Sequence, residues 1–128
     1  MEKLDDKATE ILEKLLDLRV GTIDCSDGTY MPVHIEIIGR TEFCDFISLA
    51  HYGELNGDSM RDPEMIFALH RKSRRFIPCY YRNDYMGVEQ YSIRRTDDGI
   101  LLNRRLQADH TAFANQWLRN IAAQQCIL

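Results

Sequence analysis

The residues that could carry chemistry are concentrated in two polar segments, GELNGDSMRDPE at 53–64 and RNDYMG at 82–87. Asn, Asp, Gly and Pro favour tight turns, so each segment could be purely structural. The first segment nevertheless carries more charge than a plain connection between strands needs. We therefore take the polar residues of both segments as a candidate binding site, which contains Asn56, Asp58, Arg61, Asp62, Glu64, Arg82, Asn83, Asp84 and Tyr85.

An EF-hand calcium loop does not fit the first segment. Glu54, Asn56 and Asp58 would be the first three ligands of such a loop. The sixth position would then be Ser59 where the loop requires Gly, and the twelfth would be Met65 where it requires Glu. The sequence therefore predicts no metal ligands, and a weak, irregular cation site remains as the alternative.

A catalytic nucleophile could be assembled from Cys79 or Ser59 with His51 and Asp84. No activated-nucleophile turn or flanking signature supports this trio. A buried cysteine, a histidine at a strand end and an aspartate in a turn explain the same residues. We therefore predict no catalytic residue and no cofactor, and the sequence favours a protein that is not an enzyme without settling the question.

A basic segment at 71–75 projects four positive charges, and the arginine pairs at 94–95 and 104–105 could extend it. Such a patch could bind the phosphates of a nucleic acid. The alternative is a solvated hairpin tip that nearby acidic residues balance, because no aromatic residues that would stack on bases are interleaved there. This weaker candidate contains Arg71, Lys72, Arg74 and Arg75.

The composition indicates one globular domain. A chain of 128 residues with 45% hydrophobic residues is long enough to bury roughly two-thirds of its unfolded surface. The net charge of −4 argues weakly against wholesale wrapping of a nucleic acid.

Cysteine spacing and hydropathy indicate a soluble, cytoplasmic protein without a membrane partner. No apolar run approaches the ~20 residues of a membrane span, and the first residues lack the apolar core of a signal peptide. The cysteines show no paired spacing, so we expect reduced, mostly buried thiols. They are Cys25, Cys44, Cys79 and Cys126.

The elements that must position the polar segments are strands between two helices. Apolar residues at three- and four-residue steps predict a helix over 4–19, capped by Gly21, and a long helix over about 104–125. Alternating apolar residues predict about five strands, near 31–37, 43–52, 65–69, 77–81 and 88–95, with 100–102 as a short sixth strand or a lead into the last helix.

These elements predict an α+β fold, an antiparallel β-meander of about five strands with both helices packed on one face. In a meander, alternate turns lie at the same end of the sheet, so the loops at 53–63 and 83–87 should lie together. The basic segment should lie a strand length away. We expect Arg61 to bridge the two loops by pairing with Asp84. We expect one core to contain Ile11, Leu15, Phe113 and Trp117 from the helices and Val33, Ile35, Phe67 and Leu69 from the strands.

Three motifs resemble an uncharacterised bacterial domain-of-unknown-function family. They are NGDSMRDPEM at 56–65, YRNDYMGVEQ at 81–90 and FANQWLRN at 113–120. The family is associated with plasmids, conjugative elements and phages, sometimes as one module of large polyvalent proteins. The resemblance covers about residues 30–125 and leaves out the leading helix. It implies a bacterial cytoplasmic accessory protein, and it assigns no catalytic residue because the family has no established activity.

The sequence therefore favours a small soluble binding or accessory module of a mobile genetic element that acts through residues 56–64 and 82–87. A protein partner is favoured because four tyrosines cluster by the second segment. One alternative is a nucleic-acid- or nucleotide-processing protein that uses the acidic loop with a divalent ion. Another is a structural subunit that homodimerises through an edge strand, so the chain is expected to be a monomer or a homodimer. The four tyrosines are Tyr80, Tyr81, Tyr85 and Tyr91.

Overall fold

The computed structural model describes residues 1–18 and 21–127, and it contains a six-stranded antiparallel sheet that lies between two helices in chain order. Helix α1 spans Asp6–Leu18 and helix α2 spans Arg104–Gln124. The strands follow one another as neighbours in the sheet: β1 Gly21–Ile23, β2 Val33–Arg40, β3 Cys44–Leu55, β4 Asp58–His70, β5 Arg75–Asn83 and β6 Val88–Tyr91. A separate hairpin consists of β7 Ile93–Thr96 and β8 Gly99–Leu102. The predicted α+β meander with a helix at each end is confirmed.

Two details of the predicted elements are wrong. Gly21 does not cap α1 but begins β1, with a φ of 126° that suits glycine. The strand expected over 88–95 is broken at Ser92, whose backbone N–H donates to the Cys79 carbonyl (3.1 Å). The chain leaves the large sheet at this residue and forms the hairpin. The predicted end of the first helix at residue 19 lies outside the described residues.

The core lies between one face of the sheet and both helices. Three fully buried residues are direct partners across neighbouring strands and therefore lie on the same face of the sheet. They are Ile35 on β2, Leu49 on β3 and Met65 on β4. The expected core is confirmed for Ile11, Leu15 and Trp117 with Val33, Ile35, Phe67 and Leu69.

Phe113 is the member of that predicted core that lies outside it. It is 41% exposed, and its ring contacts Tyr81 at 5.4 Å and Trp117 at 5.9 Å between centroids. The buried stripe of α2 is centred on Ala114 and Leu118. Phe113 and Trp117 lie on the same flank of this stripe, but the described core covers Trp117, whereas Phe113 remains 41% exposed beside Tyr81 and Trp117.

The first polar segment is an arm of two strands and not the loop predicted over 53–63. Asn56 and Gly57 alone form the turn, with φ values of 53° and 84°, as a type I′ hairpin turn requires. Strands β3 and β4 continue up to this turn. The ladder shifts register between Ala50 and Tyr52, which accommodates Pro63 because proline cannot donate to a ladder.

Truncation of the central aromatic residue of α2 tests the packing. Trp117→Ala should lower the free energy of unfolding by about 3–5 kcal/mol, because it leaves a cavity between α2 and the sheet. Phe113→Ala is the matched control and should cost roughly 1 kcal/mol, because its ring is already partly in water. Urea unfolding followed by circular dichroism measures both values, and equal losses would contradict the described core.

Candidate functional site

The two polar segments lie side by side at one end of the sheet. The Asn56–Gly57 turn joins β3 to β4, and residues 84–87 join β5 to β6. Strands β4 and β5 are hydrogen-bonded neighbours, so the two connections are adjacent. The backbone N–H of Asp84 donates to the Arg61 carbonyl (2.9 Å). We call residues 54–64 and 82–89 together the motif surface.

Asp84 is the centre of the motif surface. Its Oδ2 accepts hydrogen bonds from the backbone N–H of Arg61 (2.8 Å) and from Nη1 of the same residue (3.3 Å). Its Oδ1 accepts a hydrogen bond from Nε of Arg82 (2.9 Å). The predicted pair between Arg61 and Asp84 is therefore confirmed. The backbone N–H of Arg61, with both guanidinium groups, holds the pKa of Asp84 below its usual range.

The charged network extends from Arg61 along the face of the sheet that the helices do not cover. Nε of Arg61 lies 3.3 Å from Oε1 of Glu64. The hydroxyl of Ser48 on β3 donates to Oε2 of Glu64 (2.6 Å). Both carboxylate oxygens of Glu64 are therefore engaged, and its side chain is fixed between neighbouring strands.

The network extends in the other direction from Arg82. Nη1 of Arg82 lies 3.3 Å from Oε2 of Glu89, and the hydroxyl of Tyr80 donates to the same oxygen (2.5 Å). Burial, and after it the hydrogen bond to Glu89, raise the pKa of Tyr80 to about 12. We call this continuous set the charge chain; its members are Ser48, Glu64, Arg61, Asp84, Arg82, Glu89 and Tyr80.

Asn83, the last residue of β5, has a structural role on the face of the sheet opposite to that of Arg82. It is buried, its Nδ2 donates to Oδ1 of Asp62 (3.1 Å), and its Oδ1 accepts from the backbone N–H of Met86 (3.2 Å). These bonds fix the β5–β6 connection and tie it to β4. Asn83 and Asp62 therefore belong to the candidate site as supports and not as exposed contacts.

The tips of the motif surface are apolar and exposed. Tyr85 is 44% exposed, Met86 70% and Leu55 47%. The Tyr85 hydroxyl donates to the Glu54 carbonyl (3.2 Å), which fixes the aromatic ring across the two connections. Sequence reasoning missed Met86 and Leu55, because an apolar residue in a turn gives no signal of which side it will face.

Two further candidate residues, Asn56 and Asp58, are exposed at the turn of the β3–β4 arm. Among the described residues, their side chains make no hydrogen bond and Asp58 makes no ion pair. Both side chains are therefore available to a ligand.

Three of the four residues considered for a catalytic trio are engaged elsewhere, and the fourth, Ser59, is exposed on the β3–β4 arm. The Cys79 thiol donates to the Ile66 carbonyl (3.3 Å), and burial raises the pKa of this thiol to about 12. Nδ1–H of His51 donates to the Pro32 carbonyl (3.0 Å), and burial lowers the pKa of His51. Asp84 is occupied by two arginines. This arrangement does not activate a nucleophile.

The basic segment lies at the opposite end of the sheet, as predicted, and half of its charge is used within the fold. Nη1 of Arg71 binds Oδ1 of Asp45 (2.7 Å), and its Nη2 donates to the carbonyls of residues 41–42. Arg74 pairs with Glu13 of α1 (3.2 Å). The other two side chains are exposed and form no ion pair with any described residue: Lys72 and Arg75.

The cysteines do not form a site. All four are free, but the expectation that they are mostly buried is wrong. Two are exposed because they lie in the connection after β1 and beyond the end of α2, and the other two are half-buried on strands. The exposed pair is Cys25 and Cys126, and the half-buried pair is Cys44 and Cys79.

Within residues 1–18 and 21–127, no group of three or more His, Cys, Asp or Glu side chains is placed to hold a metal ion. None of the helices in this part of the chain has the length and apolar character needed to span a membrane.

Comparison with models of known protein families identifies a match. A family model described as "Domain of unknown function (DUF6908)" matches residues 4–127. The match includes the leading helix, which the resemblance left out. The structure explains this difference, because Leu4, Ile11 and Leu15 of the N-terminal region are fully buried in the common core. A search of the curated proteins and a search of the solved structures each found no match.

Removal of the Asp84 charge tests the centre of the motif surface. Asp84→Asn should lower the free energy of unfolding at pH 7 by about 1–2 kcal/mol, because both guanidinium groups lose a charged acceptor. The pKa of Asp84 is lowered in the folded protein. Its contribution is therefore complete above the ordinary pKa of ~4 and is lost as the pH falls through the lower folded value. Urea unfolding at several pH values should show the difference between the two proteins disappearing in strong acid.

Asp58→Asn is the matched control, since Asp58 is exposed in the same arm. It should change the free energy of unfolding by less than ~0.5 kcal/mol at every pH. An equal effect of the two substitutions at pH 7 would contradict the central place of Asp84.

Proposed function

The chain belongs to the family described as "Domain of unknown function (DUF6908)", and we propose that it is a small binding module whose motif surface recognises a partner protein. In this proposal it is an accessory protein of a bacterial mobile genetic element and acts in the cytoplasm. The resemblance of three motifs to a family from plasmids and conjugative elements supports this setting.

One observation carries the proposal: the charge chain, whose side chains are held by hydrogen bonds and ion pairs, lies directly beside exposed apolar side chains. Asp84, at the start of the β5–β6 connection, binds Arg61 of β4 and Arg82 of β5. Tyr85 and Met86 follow Asp84 in the chain and are exposed. Protein interfaces are enriched in Tyr, Met and Arg and surround apolar anchors with a polar rim. A surface that is already ordered loses less conformational entropy on binding.

The charge of the motif surface favours a basic partner. The surface contains two arginines and six carboxylates, an excess of four negative charges. Its arginines are already paired within the charge chain, so the carboxylates dominate its field. A complementary partner carries Lys or Arg at its rim, which accelerates association and excludes acidic competitors. The carboxylates are Glu54, Asp58, Asp62, Glu64, Asp84 and Glu89.

The same features weigh against the two alternatives. A nucleic-acid- or nucleotide-processing site at the acidic loop needs free cations beside it for phosphates, and both arginines of the motif surface, Arg61 and Arg82, are paired with carboxylates. Homodimerisation through a sheet edge would use strands of three or four residues at β1 or β6, and short edges are typical of sheets that avoid such pairing.

The binding test compares surface variants of the tagged intact protein after purification from its host, with mass spectrometry and nucleic-acid analysis of what is retained. Tyr85→Ala combined with Met86→Ala should weaken capture of the partner protein at least ~10-fold and leave the melting temperature nearly unchanged. Arg61→Ala should weaken capture of the partner protein and also lower the melting temperature, because Arg61 joins β4 to the β5–β6 connection through Asp84.

Lys72→Ala combined with Arg75→Ala is the control at the other end of the sheet. It is a cleaner control than a change of Arg71 or Arg74, which hold Asp45 and Glu13. Loss of binding in this control alone, with steep salt dependence in the parent, would identify nucleic acid as the ligand.

Divalent ions discriminate the proposal from the metal-dependent alternative. Millimolar calcium, magnesium or manganese should leave the melting temperature nearly unchanged, because a ligand stabilises the native state only by occupying it. Differential scanning fluorimetry with and without each ion measures this. A shift of several degrees that Asp58→Asn abolishes would favour the alternative.

A further inference from the structure

The face of the sheet that the helices leave uncovered contains an apolar groove beside the hairpin of β7 and β8. The groove has a volume of about 620 Å³, within the range of roughly 300–1,000 Å³ that is typical of ligand clefts. Strands β2 to β5 form its floor and β7 forms one wall. We call it the hairpin groove; its apolar lining includes Ile38, Phe46, Ile66, Cys79, Tyr91 and Ile93.

Apolar side chains are unusual on this face. An antiparallel sheet that packs on one side normally presents polar residues to solvent on the other. Here Ile38 is 48% exposed and Tyr91 47% exposed, and neither of the two described helices covers them. A contiguous apolar patch with a polar rim marks an interaction site more often than a chance exposure.

The charge of the hairpin groove is opposite to that of the whole chain. Arg94 and Arg95 line its wall, and its lining includes no acidic residue from the described parts of the chain, although the chain contains 20 acidic residues and has a net charge of −4. Both arginines are exposed, and neither forms an ion pair with a described residue. The guanidinium carbon of Arg94 lies 5.0 Å from the centre of the Tyr91 ring, which positions that charge at the rim.

We propose that the hairpin groove is a docking site for an acidic, amphipathic segment of a partner protein. Aliphatic side chains of the segment fill the apolar floor, and its carboxylates pair with Arg94 and Arg95. The hairpin groove shares no lining residue with the motif surface, so the inference goes beyond the proposed function and does not depend on it.

The lining fits a peptide better than a nucleic acid. Stacking of bases requires open aromatic faces, but Arg94 lies over the Tyr91 ring and Tyr80 is only 7% exposed. The third aromatic residue of the lining, Phe46, is half-buried, and the three isoleucines of the lining are aliphatic.

A selection from random 12-residue peptides displayed on phage, against the immobilised intact protein, tests the inference. Enriched peptides are synthesised with a fluorescent label and measured by polarisation. The expected result is enrichment of peptides that combine Asp or Glu with Leu, Ile or Val. Their affinity should fall at least ~10-fold in the variant Arg94→Ser with Arg95→Ser, and it should decrease as salt is raised.

Two further variants separate binding from folding. Ile38→Ser, at an exposed position of the floor, should weaken the same peptides without a change in melting temperature. Arg104→Ser combined with Arg105→Ser is the matched control, because these exposed arginines begin α2 and do not line the groove. It should leave the affinity unchanged.

Each remaining outcome overturns the inference. These outcomes are no enriched peptide, enriched peptides without acidic residues, and equal binding by the variant without Arg94 and Arg95. Competition by a single-stranded dT oligonucleotide would identify nucleic acid as the occupant. Self-association in analytical ultracentrifugation that the same variant abolishes would identify a second copy of the chain.

Discussion

The hydrogen bond from the backbone N–H of Arg61 to the Asp84 carboxylate is the interaction on which the motif surface depends. It joins β4 to the β5–β6 connection. The guanidinium groups of Arg61 and Arg82 bind the same carboxylate. A carboxylate that serves three donors cannot move without releasing all of them. The positions of Glu64, Glu89 and the exposed Tyr85 follow from this one junction.

Much of this arrangement could be predicted from the sequence, because it depends on local patterns. Apolar periodicity was enough for α1 and α2, and alternation was enough for the central strands. In a meander each strand pairs with the one before it, so the order of the strands placed the two polar segments side by side. The Arg61–Asp84 pair was inferred from that adjacency.

The features that the sequence did not predict depend on contacts between distant residues. Phe113 has the hydrophobicity of a core residue, but the centre of the buried stripe lies one position further along α2. The break at Ser92 is set by its bonds to Cys79 and Asn103, which no local pattern encodes. The hairpin groove is assembled from residues on six strands, β2 to β7, so its apolar character is visible only after the sheet has formed.

The two-stranded hairpin that forms one wall of the groove has a consequence for local dynamics. A two-stranded ribbon is marginally stable by itself, and β7 and β8 pair only with each other. The ribbon is anchored at its base, where the backbone N–H of Asn103 donates to the Ser92 carbonyl (2.8 Å). We therefore expect its amide hydrogens to exchange with solvent by opening of the ribbon alone, whereas those in the parts of β3 and β4 that pair on both sides should exchange only when the large sheet opens. The groove thus has a fixed floor and an adjustable wall.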